Sequence, residues 1–255
     1  SKQKVENYFI DKGFLQAQCV VNSASDSTKD GRVILDFNIN KNTRLKIERI
    51  NFSGNHNIKA SKLKRVMKET REKGIKYLFA TSKFIEKNYA QDLVQVVNLY
   101  HQKGYRDMTI KNDSIYIIND NRIMIDVEID EGQQYFFGEI SWLGNKKYDS
   151  EKLTEILGIK RGDIFDASLL DERLNMSRNG DDISAIYMDD GYLFFQINPV
   201  ETSIEDGNHI NLQLQIIEGK QATIKKVSID GNTKTNDHVI MREIRTKPGD
   251  LFKRS

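Results

Sequence analysis

The 255-residue chain holds a single cysteine, Cys19, so no intrachain disulfide can form, and one thiol does not fix a redox compartment. Only two prolines and scattered glycines argue against long disordered linkers. No apolar run reaches the roughly 18–20 residues a membrane helix needs, and no signal peptide opens the chain. An excess of one charge is lacking too. The 39 Lys and Arg stand against 37 Asp and Glu, a net charge of +2 that gives no basis for a nucleic-acid or anionic-membrane binder. Enzyme fingerprints are missing. No two glycines lie two or three apart, which removes the G-x-G fingerprint and the G-x-x-G clamp. Gly231-Asn232-Thr233-Lys234-Thr235 lacks the second glycine of a Walker loop. The abrupt start at Ser1 and the stop just after Phe252 are what a piece of a longer protein would show.

What is present is a repeat. Apolar residues make up 38% of the chain and charged ones 30%, which suits several modest cores rather than one thick one. The stretch Phe137 to Asn145 alternates apolar Ile140 and Trp142 with polar neighbours and ends in Gly144-Asn145, a short strand stopped by turn chemistry. The pattern recurs at Ile47 to Asn55 and at Ile224 to Asn232, with its glycines 90 and 87 positions apart. Further anchors fall in register: Phe9, Tyr100 and Tyr187; Gly13, Gly104 and Gly191; Phe14, Tyr105 and Tyr192; and the alternating runs Val33 to Ile39, Ile123 to Ile129 and Ile210 to Ile216.

Between these anchors the spacing predicts a helix near Ala60 to Glu69 and a longer one near Ser82 to Gln102. It also predicts Ser150 to Leu157, N-capped by Asp149 or Ser150 and stopped by Gly158, and a fourth helix to Met188 that Asn179-Gly180 kinks or interrupts. Strands follow at Arg106 to Lys111 and Leu193 to Asn198. Each unit reads strand, helix, helix, strand, strand, so two amphipathic helices must cover one face of a three-stranded sheet.

This order, the Gly-Asn after the first strand, the Gly-Tyr at the helix exit and Gly162-Asp163-Ile164-Phe165, repeated as Gly249-Asp250-Leu251-Phe252, resemble the POTRA (polypeptide-transport-associated) domain. Tandem units of this kind are most similar to the BamA family of outer-membrane protein assembly factors. The resemblance implies an α+β fold of tandem repeats with mixed sheets. It places residues 1–44 in a second domain, 45–134 in a third, 135–219 in a fourth and 220–255 in a fifth. It implies a non-enzymatic, cofactor-free region on the periplasmic side of the bacterial outer membrane, ahead of a C-terminal membrane β-barrel. Its implied partners are unfolded outer-membrane proteins, accessory assembly lipoproteins and periplasmic chaperones, with no nucleic acid. A secretion or import pore built on the same domain is the alternative, and an α/β enzyme or nucleic-acid module is disfavoured by the missing motifs. Two departures stand out. Asn42 replaces Gly132 and Gly219, and the third domain carries Lys76-Tyr77-Leu78-Phe79 where the next has Gly-Asp-x-Phe.

Side-chain chemistry offers few sites. His56, His101, His209 and His238 have no ligand spacing and read as surface histidines. Asp181-Asp182 and Asp189-Asp190 read as solvated charges at helix ends, Cys19 as a small buried hydrophobe and Trp142 as core. Backbone chemistry offers more. In this family the last strand is central and the strand after Gly-Tyr is an edge, whose unpaired N–H and C=O groups can template an incoming peptide. The candidate edge residues are Arg106, Asp107, Met108, Thr109, Ile110, Lys111 and Asn112, and Leu193, Phe194, Phe195, Gln196 and Ile197, with Pro199 limiting pairing at the second edge. Tyr77, Leu78 and Phe79 form a candidate partner-docking loop, or else tuck under their own domain.

Overall fold

A computed structural model describes residues 1–26, 31–72, 83–119, 121–175, 177–234, 236–244 and 246–254. The chain forms two compact units, one of residues 1–101 with 105–133, the other of 102–104 with 134–255. The first unit contains α1 (Lys2–Ile10), β1 (Gln18–Ser25), β2 (Val33–Asn40), β3 (Lys46–Ser53), α2 (Ala60–Val66), α3 (Glu86–His101), β4 (Thr109–Asn119) and β5 (Arg122–Asp130). The second contains β6 (Phe136–Leu143), α4 (Ser150–Leu157), α5 (Ala167–Asn175), α6 (Ile183–Asp189), β7 (Gln196–Glu205), β8 (His209–Ile217) and α7 (Asp237–Glu243).

Two three-stranded mixed sheets repeat one topology, β3-β5-β4 and β6-β8-β7. The last strand of each repeat is central. It pairs parallel with the first strand and antiparallel with the one before it. Period-two alternation explains why only one face is sealed: Ile123, Ile125, Val127 and Ile129 are buried on β5, and Ile210, Leu212, Leu214 and Ile216 on β8. The helices close that face with Leu63, Val96 and Tyr100 in one core and Leu153, Leu157, Leu174 and Tyr187 in the other. Each fully buried Leu side chain contributes roughly 1.5–3 kcal/mol.

Helix ends follow the chemistry in the sequence. Asp149 accepts a hydrogen bond from Lys152 N at 2.8 Å, and Gly158 ends α4 in the left-handed region at φ 66°. Helix α2 is shorter than its periodicity predicts. It stops at Val66 because the buried Asp92 of α3 takes the amides of Lys68, Glu69 and Thr70. The helix leading to Met188 is two helices, α5 and α6, with residues 177–182 outside either, and Asp182 starts α6 by accepting from Ala185 N.

The strands after Gly-Tyr start three residues later than expected, at Thr109 and Gln196, and run further, to Asn119 and Glu205. A turn occupies the intervening positions. Tyr105 N donates to Tyr100 O and Met108 N to Tyr105 O, and Tyr192 N and Phe195 N repeat both bonds. Phe14 N to Phe9 O and Ala17 N to Phe14 O form the same turn a third time.

The incomplete repeats differ from expectation. Val33, Leu35, Phe37 and Ile39 alternate but are all exposed, since the described residues supply β2 with β1 as its only partner strand. Residues 224–232 form no ladder, because a first strand is held by the last strand of its own repeat, and the described residues of 222–255 include none.

Candidate functional site

The edges of the two sheets are treated very differently. On the first-strand side the chain covers itself. Gly162 N donates to Phe137 O, Phe137 N to Asp163 O and Phe165 N to Tyr135 O, so the loop lies along β6. The same three bonds recur as Gly249 N to Ile224 O, Ile224 N to Asp250 O and Phe252 N to Ala222 O. Each aspartate also holds its own turn: Asp163 accepts from Lys160 N at 2.8 Å and Asp250 from Lys247 N at 2.7 Å. The Gly-Asp-x-Phe signature is thus an edge-covering device.

In residues 45–132 the position of Phe165 is taken by Phe84, not by Phe79. Phe84 N donates to Leu45 O, Lys83 bridges Lys46, and the Phe84 side chain is buried. From Gly54 to Phe84 the numbering advances 30, against 21 from Gly144 to Phe165, and from Phe84 to Gly104 it advances 20, against 26 from Phe165 to Gly191. Two offsetting length changes hid this equivalence from a gap-free comparison. Tyr77, Leu78 and Phe79 lie outside the described residues. Further along β3, Glu72 accepts from Ile50 N at 2.7 Å, so this edge too is occupied.

The opposite edges are open. Among the described residues nothing pairs with the outer side of β4 or β7. Of the predicted edge residues, Arg106 and Asp107 sit in the turn, Met108 is buried in the core, and Thr109, Ile110, Lys111 and Asn112 lie in β4. In the second repeat Leu193 and Phe194 sit in the turn, Phe195 is buried, and Gln196 and Ile197 lie in β7.

Each edge has local obstacles. A bulge interrupts β4 between Ile110 and Asn112, and Lys111 pairs with Asp130 at 3.0 Å. Bulges and lysines are both features that discourage edge pairing. Beyond the bulge, Ile115, Tyr116, Ile117 and Ile118 are successive, apolar and 42–58% exposed. In β7, Pro199 stands opposite Leu214 and a bulge follows between Glu201 and Ser203. Only an edge strand tolerates a proline in its body, because one N–H is then missing from the strand. The 115–118 stretch is absent from the residues predicted from sequence. Its signal was the apolar run ahead of the turn at Asn119.

Two glutamates brace the frame behind these edges. Glu131 is buried and accepts from Asn57 N, Asn57 Nδ2, Ile58 N and Tyr100 Oη. Glu218 repeats the pattern with Lys146 N, Lys147 N and Tyr187 Oη. Burial alone would raise the Glu131 carboxyl, but its donors outweigh that and hold it below the ordinary value. Burial, and then the facing Glu131, push the Tyr100 hydroxyl well above its own.

Several polar residues read as solvated are not. Asp182 is fully buried. Besides capping α6 it accepts from Ser177 N and pairs with Arg254 Nη1 at 3.1 Å. His209 has a buried Nδ1 and stacks on Phe136. Trp142, read as core, is only half-buried and donates from Nε1 to Thr154 Oγ1 at 2.9 Å. Cys19 is buried, in keeping with its reading as a small hydrophobe. Among the described residues no group of three His, Cys, Asp or Glu is placed to hold a metal ion, and no helix is long and apolar enough to cross a membrane.

The POTRA profile, described as a surface antigen variable number repeat, matches residues 45–132, 135–219 and 222–255. The chain is 29% identical over 217 residues to the outer membrane protein assembly factor BamA of Neisseria meningitidis serogroup B, covering 84% of this chain and 26% of that protein. It is 23% identical over 256 residues to BamA of Nitratidesulfovibrio vulgaris, covering 98% of this chain and 31% of that protein. It therefore spans under a third of the length of these relatives. The crystal structure of Haemophilus influenzae BamA POTRA3-5 matches with a TM-score of 0.57 at 20% identity, over 82% of this chain and 80% of that one, which shows a shared fold.

Proposed function

The chain belongs to the POTRA family, and from that premise we propose that it is the periplasmic POTRA region of a BamA-like outer-membrane protein assembly factor. In this reading it is a non-enzymatic scaffold that receives unfolded outer-membrane proteins as added β-strands. It passes them toward a downstream membrane barrel and docks accessory assembly lipoproteins and periplasmic chaperones. Residues 45–134 and 135–219 are its complete third and fourth domains, and residues 1–44 and 220–255 are parts of its second and fifth.

The observation that carries the strand-capture role is the asymmetry of the sheet edges. The chain's own loops occupy the outer sides of β3 and β6, while β4 and β7 have no partner. Main-chain pairing is largely blind to side chains, which suits a protein handling many unfolded strands. Within β4 the stretch after the bulge, Asp113–Asn119, has neither proline nor bulge until its end, and its exposed isoleucines add apolar contacts on both faces.

The test is photo-crosslinking of an unfolded outer-membrane protein peptide to β4 in variants with proline at Tyr116 or, separately, at Ile117. Along an edge, successive residues alternate between facing the ladder and facing outward. One variant should therefore lose most crosslinking while keeping its melting temperature, and the other should lose stability. Unchanged crosslinking in both would remove β4 as the capture edge.

A further inference from the structure

The sister repeats place opposite charges on one helix face. On α2, Ser61, Lys64 and Arg65 stand at i, i+3 and i+4, and so share a face. The corresponding positions on α4 are Glu151, Thr154 and Glu155. Both helices bury the same apolar side, through Leu63 and Leu153. The fold therefore does not require cations on the outer face of α2. The contrast extends over the whole repeats: residues 45–132 carry 16 Lys and Arg against 12 Asp and Glu, and residues 135–219 carry 7 against 16. The near-zero net charge of the chain conceals this polarity.

The α2 face borders a cleft of about 300 Å³ lined by Ser61, Lys64, Arg65, Thr70, Arg71 and Glu72. Its far wall is rigid. Asp92 holds the amides of Lys68, Glu69 and Thr70 at 2.6–3.0 Å, and Arg71 Nε donates to Lys68 O at 2.8 Å, which fixes the guanidinium against the turn. Glu72 is the one carboxylate in the cleft, and it is committed to Ile50 N and to Lys64 Nζ. Three cations, one of them shared with Glu72, and a serine hydroxyl thus line a cleft with room for a small oxyanion, and less side-chain freedom is lost on binding because the wall is already ordered.

We infer that this cleft is a binding site for a phosphoryl group, carried either by a soluble phosphate or by a phospholipid headgroup. Guanidinium and ammonium groups supply charge-assisted hydrogen bonds to phosphate oxygens, with Arg65 able to offer paired donors and Lys64 and Arg71 adding positive charge. The inference does not depend on the strand-capture role, since the cleft lies at α2 and not on β4.

The test has two arms. Inorganic phosphate is titrated into the isotope-labelled chain and followed by amide shifts. Separately, the chain is sedimented with vesicles of phosphatidylcholine alone or mixed with phosphatidylglycerol. Saturable shifts centred on Lys64, Arg65 and Arg71 support the site, and retention only by the phosphatidylglycerol vesicles assigns it a lipid source. Arg65→Glu, which installs the residue type of Glu155, should weaken the responding arm about tenfold. Lys152→Glu, the same charge change on α4, should leave it within about twofold. Absence of response in both arms overturns the inference, as does equal weakening by the two variants, which would mean that net charge alone is being read.

Discussion

Residues 45–132 and 135–219 build one scaffold by two routes. The first repeat has extra chain ahead of Phe84 and one continuous helix, α3. The second has a short Gly-Asp-x-Phe loop and builds two helices, α5 and α6, in place of one. The buried frame is nearly indifferent to these changes. Phe84 and Phe165 pin the opening strand, Tyr100 and Tyr187 cross the core, and Glu131 and Glu218 tie the last strand to the Gly-Asn turn. The surfaces diverge instead. One repeat has a basic α2 and a long apolar β4 edge, the other an acidic face and a β7 edge interrupted by Pro199. A core of this kind tolerates insertion where chain can leave and return without breaking a buried hydrogen bond.

The strongest way to break the equivalence is at the glycines after the first strands. A Cβ on Gly54 would lie 1.9 Å from Ile129 O, and one on Gly144 2.2 Å from Ile216 O, both at positive φ. Gly54→Ala and Gly144→Ala should each cost at least about 3 kcal/mol in urea unfolding. A mild effect at either site would show that the repeats do not share this close approach.

The glutamates should separate the repeats. Glu131→Ala leaves the buried donors of Ile58 and Tyr100, and the Asn57 amide, without their acceptor and should cost about 2–3 kcal/mol. Glu218→Ala, beside the more exposed amides of Lys146 and Lys147, should cost about 1 kcal/mol. The difference is read from the two denaturation midpoints.

Acid should act on the same contrast. The folded-state value of Glu131 lies below its unfolded value, so its contribution is complete above the ordinary glutamate range and is lost as pH falls through the lowered value. Stability of the first unit should therefore fall on acidification below about pH 4.5. Glu131→Gln, which removes the titration, should flatten that limb. An unchanged slope would assign acid lability elsewhere.

The smallest expected effect concerns the open edges. Pro199→Thr restores an N–H in β7 and should raise peptide crosslinking there about two- to threefold, bringing it nearer to β4. If capture at β7 stays unchanged, its bulge at Glu201 to Ser203 rather than the proline is the obstacle.

Much of the frame was legible in the sequence because it is written in local terms. The period-two runs at Ile123 to Ile129 and Ile210 to Ile216, the Asp149 cap and the Gly158 stop each need only neighbouring residues to be recognised. The recurring Gly-Asn, Gly-Tyr and Gly-Asp-x-Phe anchors fixed the repeat and the order of its elements. Arg106 and Leu193 were read as strand because aromatic and apolar residues follow the glycines there, yet a local turn, closed by Met108 N to Tyr105 O and Phe195 N to Tyr192 O, buries Met108 and Phe195 and delays β4 and β7. Asp182 looked like a solvated charge because its partners, Ser177 and Arg254, meet it only in the folded chain.

Sequence alone therefore determined the repeat and its elements, since hydrophobic period and turn chemistry are properties of adjacent residues, whereas the central place of the last strand was implied only by the family resemblance. Only the tertiary structure decided that Phe84 stands for Phe165, that loops and Glu72 occupy one edge of each sheet, and that β4 and β7 remain open. Those outcomes depend on which distant backbone groups find partners, and separation along the chain carries no record of that pairing.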